Sequence, residues 1–140
     1  MILVLDTGGV SALVPVDERG RARLRALRAR STDVVVSSAV LAEGLLTGHP
    51  GRDHHVRRFL ATADIADVDE PLGLAAGRLR TRAIGDGATP PPSGVDALVA
   101  AEADRRAATG DVLIVTSGID DLSALAQFGR HADRMSILRV

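Results

Sequence analysis

Residues 1–13 read MILVLDTGGVSAL and residues 112–125 read VLIVTSGIDDLSAL. In each, a short apolar run, Ile2 to Leu5 or Val112 to Val115, is cut off by a polar residue. Runs of this length, rich in Val, Ile and Leu, read as strands covered on both faces. Three more follow the pattern: Val34 to Val36, Ile65 to Val68 and Ser136 to Val140. Helical spacing fills the intervals. Leu72, Ala75, Ala76, Leu79 and Ala83 share one helix face, and Leu24 with Leu27 sits among the six arginines of Arg19 to Arg30. Further helices are predicted over Ser38 to Leu46, Arg52 to Ala63, Val95 to Ala108 and Asp121 to Phe128, with a stiff loop from Gly85 to Gly94 around Pro90, Pro91 and Pro92. Strands alternating with helices imply an α/β fold of three layers, α/β/α, around a mostly parallel five-stranded sheet with right-handed crossovers.

The chain has 140 residues, a length that suits a single domain spanning 1–140, and no internal repeat is visible. Its 46% hydrophobic and 25% charged residues fit a globular protein. The run from Ile2 stops at Asp6, too soon for a signal or membrane segment, so a cytoplasmic location with no membrane partner is expected. Absences narrow the chemistry. With no Cys there is no disulfide, zinc ribbon or thiol nucleophile, and with no Lys there is no P-loop lysine or Schiff base. Phe59 and Phe128 are the only aromatics, which argues against stacking platforms for single strands.

Ligands of open parallel sheets bind beyond the carboxyl ends of the strands. Asp6 follows the first strand directly. Glu43 falls on the helix predicted after the second, along a mostly apolar face. Asp96 opens the helix from Val95, and Asp120 and Asp121 follow the fourth strand. Each has a plain structural reading: Asp96 as a first-turn acid, Asp120 or Asp121 as an N-cap, Glu43 as a partner of an arginine. Their joint placement points instead to a hard divalent cation, Mg²⁺ or Mn²⁺, held by carboxylate oxygens, and to hydrolysis of a phosphodiester. Thr7, Thr116 and Ser117 are the hydroxyls placed to orient those acids. The four histidines read as surface residues.

The opening with Asp6, VSSAVLAEGLL (36–46) with Glu43, SGVDALVAAEA (93–103) with Asp96, and VLIVTSGIDDLSAL together resemble the PIN-domain ribonucleases, in particular the VapC-type toxins of VapBC toxin–antitoxin modules. The resemblance covers essentially the whole chain. It implies a PIN-like fold, Mg²⁺- or Mn²⁺-dependent endoribonuclease activity on structured RNA such as tRNA or rRNA, homodimerisation, and inhibition by a VapB-like antitoxin. It also implies catalytic and metal-holding roles for Asp6, Glu43 and Asp96. The family's usual fourth acid falls at Gly118, so Asp121, or Asp120, takes that place; Gly8 stands where many members carry a small hydroxyl residue, with Ser11 nearby. A catalytically weak or inactive PIN-like module that only binds RNA or protein is the alternative, favoured by Gly118.

Other uses of the same residues are weaker. Leu5-Asp6-Thr7-Gly8 matches the triplet of retroviral-type aspartic proteases, but those are all-β. Phosphatase and receiver domains need the missing Lys, and Gly8-Gly9 could cradle a phosphate without further glycine spacing to support it. Charge is segregated beneath a net charge of −1. Asp17 to Arg30 carries six Arg against two acids, which makes Arg21, Arg25 and Arg28 candidate RNA-phosphate contacts beside the acidic site. Arg78 and Arg82, one helical turn apart, form a second basic stripe. Either set could instead meet an acidic partner protein.

Overall fold

The structure, a computed structural model, describes residues 1–140. Five strands, β1 (Ile2–Leu5), β2 (Asp33–Ser37), β3 (Asp64–Ala66), β4 (Val112–Thr116) and β5 (Met135–Arg139), form one sheet in the order β3-β2-β1-β4-β5. Every pairing is parallel. The chain steps outward from β1 to β3, then crosses back to lay β4 and β5 on the other side of β1. The reversal of strand order therefore lies between β1 and β4, where ligand crevices form in open sheets. β1 is central, and Leu3, Val4 and Leu5 are wholly buried.

Six α-helices surround the sheet: α1 (Thr7–Leu13), α2 (Glu18–Arg28), α3 (Pro50–Leu60), α4 (Glu70–Gly85), α5 (Gly94–Ala107) and α6 (Ile119–Ala126). α4, α5 and α6 pack on one another, whereas α1 packs on α2. Right-handed crossovers place α1 to α3 on one face and α4 to α6 on the other. Small side chains on the buried stripe of α5, among them Ala97, Ala100 and Ala103, let it lie close to both the sheet and α4.

The structure departs from the sequence expectations at several elements; α3, for one, spans Pro50–Leu60 where Arg52 to Ala63 was expected. α1 is an additional helix. It is capped by Asp6, whose side chain accepts the Gly9 N–H, and its two glycines lower the helical signal that its spacing would otherwise carry. The helix expected over Ser38 to Leu46 is a 3-10 segment, Ser38–Glu43, stopped by Gly44 in the left-handed region at φ 76°. β3 ends at Ala66, because β2 offers it no partner beyond Ser37, and Val68 is left exposed. Last, α6 begins at Ile119, two residues before the expected start.

Candidate acidic site at the carboxyl end of the sheet

β1 delivers Asp6 to the switch point, and two hydrogen bonds fix its carboxylate there. Oδ1 accepts the Gly9 N–H at 2.6 Å, and Oδ2 accepts the Thr116 hydroxyl at 2.5 Å. Thr116 is fully buried at the end of β4, and its oxygen in turn accepts the Gly118 N–H at 2.9 Å. The glycine pair makes this approach possible. A Cβ at Gly9 would stand 2.1 Å from the Val115 carbonyl oxygen, and one at Gly8 would stand 2.1 Å from Ser117 Oγ. The reading of Gly8-Gly9 as a phosphate cradle therefore gives way to a packing requirement: the first turn of α1 is pressed onto the end of β4.

Asp96 enters from the first turn of α5. Ser93 caps that helix, its oxygen accepting the Asp96 N–H at 3.0 Å while its hydroxyl donates to Asp96 Oδ2 at 2.7 Å. Asp121 comes from the first turn of α6. Asp6, Asp96 and Asp121 line one open cleft of about 620 Å³ together with Thr7, Gly8, Ser11, Ala12, Ser117 and Gly118. No basic side chain is among them. Burial first of all raises the Asp6 carboxyl above the ordinary carboxylate range; the Thr116 and Gly9 hydrogen bonds oppose this, and the charges of Asp96 and Glu43 add to it. Asp121 is raised as well, by burial and then by Asp96 and Asp120.

The remaining expected site residues divide. Glu43 is exposed at the end of its 3-10 segment rather than set on an apolar helix face, and it accepts a short hydrogen bond from the Thr7 hydroxyl. This brings it to the rim of the cleft. Asp120 is exposed and outside the cleft, because α6 turns it away from Asp121, its neighbour. Neither acid caps α6; that position is Gly118. Thr116 touches an acid, whereas Ser117 lines the cleft without hydrogen-bonding one. As placed, no three carboxylates or imidazoles stand close enough to share one ion.

The arginine helix is not the wall expected beside this site. Arg21 and Arg25 both pair with Glu18, at 3.1 and 2.9 Å. Arg28 donates to Thr62 Oγ1 at 2.7 Å in a hollow with Asp33 and Asp64, at the amino ends of β2 and β3 and so at the opposite end of the sheet. A different cation borders the cleft: Arg52 of α3 donates to the Leu45 carbonyl at 2.7 Å and reaches Ser11 Oγ at 3.5 Å. Beside it, buried Asp53 accepts the Thr47 and Gly48 N–H groups, both at 2.9 Å, which holds its carboxyl below the usual range and pins the loop after Glu43. Neither residue carried a sequence signal beyond its place at the start of a helix. No histidine lines the cleft, and His49 caps α3.

Fold and cleft together define an open parallel α/β domain with an acid-lined crevice at its switch point. Among solved structures, the crystal structure of VapBC2 from Rickettsia felis bound to a DNA fragment from their promoter contains a chain of this fold. That chain matches with a TM-score of 0.71 at 22% identity, over 99% of each chain. No protein-family model and no curated protein matches the sequence. The likeness is one of fold.

Proposed function

We propose that this protein is a metal-dependent endoribonuclease, the toxin of a toxin–antitoxin pair, which hydrolyses phosphodiester bonds in structured RNA. One observation carries the reading. At the switch point of the sheet, Asp6, Asp96 and Asp121 line a single cleft with no basic side chain, and Asp6 is both partly desolvated and repelled by its neighbours. In donor chemistry, an all-carboxylate oxygen set of this kind fits a hard divalent cation, whose charge would relieve the repulsion and draw together acids that stand too far apart as placed. Asp6, Asp96 and Asp121 would hold Mg²⁺ or Mn²⁺, with Glu43 on the rim. When bound, such an ion supplies Lewis-acid stabilisation of charge on a phosphoryl oxygen and activates the attacking water.

The chain's own residues provide positioning. Thr116 and Gly9 hold the two oxygens of Asp6, Ser93 steadies Asp96, and Thr7 ties Glu43 to the first turn of α1. The open cleft admits a polymer. The antitoxin partner is supported by the resemblance and by the fold neighbour, solved as a VapBC2 complex on promoter DNA; homodimerisation rests on the resemblance alone. Incubation of purified protein with total RNA, in Mn²⁺ or in EDTA, with mapping of new 5′ ends, is the direct test. Metal-dependent cleavage that drops by at least about 10²-fold in Asp6→Asn is expected, and an Asp6→Asn protein that cuts like the parent removes the site.

A second reading is favoured by Gly118 and by the spacing of the acids as placed. In it, the domain binds RNA or protein without cutting. RNA binding with no new 5′ ends in Mn²⁺ would select that reading.

A further inference from the structure

A second cleft, of about 150 Å³, opens where α4, α5 and α6 meet, and three guanidinium groups, those of Arg78, Arg82 and Arg130, converge on it. None of the three belongs to any ion pair of the protein. Arg78 and Arg82 project one turn apart from α4. Arg130 comes from the turn after α6, whose backbone is tied to α5. A Cβ at Gly129 would stand 2.8 Å from Asp104 Oδ1 and 2.6 Å from Met135 Cε, so a larger residue there would have to displace both side chains. The same Asp104 oxygen accepts the His131 backbone N–H at 2.8 Å. The residue after Arg130 is thereby fixed to α5, and the residue before it passes close to the same carboxylate. Asp104 is the only acid lining the cleft, and its Oδ1 also faces the His131 ring at 3.4 Å, so the surface stays positive.

Three of the six arginines in and beside α2 are engaged within the chain, and Arg19, Arg23 and Arg30 are not, but no cleft gathers those three. There, Arg21 and Arg25 are committed to Glu18, and Arg28 to Thr62. At the second cleft the guanidinium forks, whose geometry suits phosphate, have no internal partner. α6 connects this cleft to the acidic one: Asp121 lies in its first turn and Phe128, which lines the second cleft, lies just past its end. Seven residues at a rise of 1.5 Å separate the two by roughly 10 Å along the helix axis. A polymer with regularly spaced phosphates reaches across that distance, whereas a single small anion does not.

We propose that Arg78, Arg82 and Arg130 form an anchor for the phosphate backbone of the RNA whose scissile bond lies in the acidic cleft, an inference that rests on the nuclease reading above. The test uses the full chain in EDTA, with a fluorescent stem-loop RNA as one probe and fluorescent polyglutamate as another. Two arginine triples are compared, Arg78→Ala/Arg82→Ala/Arg130→Ala, all exposed, and, matched in charge, Arg19→Ala/Arg23→Ala/Arg30→Ala, of which Arg23 is half-buried. The first is expected to weaken RNA binding about tenfold or more and to lower the slope of log affinity against log salt by about one per lost contact. The α2 triple is expected to do distinctly less. RNA affinity like the parent's in the first triple, equal losses in both triples, or loss of polyglutamate binding with RNA binding retained would each overturn the anchor. Absence of cleavage by the parent in Mn²⁺ bears on the acidic cleft alone and leaves this binding result to stand by itself.

Discussion

Asp96 and Glu102 lie on the same helix, α5, and their carboxylates are treated in opposite ways. Glu102 is wholly buried, yet it is enclosed by Arg106 Nε at 2.7 Å and Arg105 Nη2 at 2.5 Å, which reach on to Asp64 and Asp69. Its Oε2 is close to Arg105 without the alignment of a hydrogen bond, so that contact is an ion pair only. Asp96 is less buried and lines, with Asp6 and Asp121, a cleft that has no cation in its lining and only Arg52 at its border. Burial is therefore not what distinguishes a candidate functional acid here. What distinguishes it is the lack of a cationic partner: the Glu102 cluster ties α5 to β3 and α4, whereas no basic side chain lines the cleft of the acids at the other end of α5.

The largest effect should come from breaking the compensated cluster. Arg105→Ala/Arg106→Ala leaves Glu102 buried and unpaired, and removing the partners of a buried charge costs about 3 kcal/mol or more. Denaturant unfolding should show that loss while RNA cleavage per folded molecule stays at the parent rate. A small stability change would mean that the cluster is screened like a surface pair. Next is the opposite manipulation, adding charge to the uncompensated region. Mn²⁺ at a hundred times its dissociation constant should stabilise the parent by about 2.7 kcal/mol, several degrees in Tm. Asp6→Asn should lose most of that shift; an equal shift in both proteins would place the ion elsewhere.

Thr116→Val tests the support of the acidic site without touching its charge. The hydroxyl is buried and donates to Asp6 Oδ2. Its loss frees the carboxylate to rotate, and loss of such a support lowers activity about 10- to 100-fold. The effect should lie in the apparent affinity for Mn²⁺ and be partly recovered in Thr116→Ser. An unchanged Mn²⁺ dependence would make Thr116 a packing residue of β4.

These regions differ in how far the sequence exposes them. β1, β2 and β4 stand out because strands covered on both faces are apolar throughout, and Asp6 is visible because it ends such a run. α1 was hidden for a physical reason: Gly8 and Gly9 are poor helix formers, and they are there because Val115 and Ser117 press against them. The sequence alone does not separate Asp120 from Asp121, since successive helical residues point about 100° apart and a shift in the start of α6 changes which one faces the cleft. The arginines mislead most. Six in twelve residues draw attention to α2, but Glu18 sits within reach of two of them, whereas Arg130 joins Arg78 and Arg82 only through the fold.

The smallest expected effect is the dependence of stability on pH. Asp6 has a folded pKa above its ordinary value of 3.8, so between the two the folded protein binds more protons than the unfolded chain. Its contribution therefore falls as pH rises through that window and is constant above it. Asp53 and Glu18, both lowered by the hydrogen bonds they accept, act in the reverse sense, gaining stability as pH rises toward their unfolded values. The parent curve mixes these signs, but the difference between Asp6→Asn and the parent isolates Asp6, because Asn retains the N-cap to Gly9. That difference should shift in favour of the variant from about pH 4 upward, by less than about 1 kcal/mol given solvent screening at a partly exposed site. Saturating Mn²⁺ should reverse it, since the ion stabilises only the ionised carboxylate. Parallel curves for the two proteins would mean that Thr116 and Gly9 already offset the cost of burying Asp6, and the contrast with Glu102 would then be one of location rather than of charge.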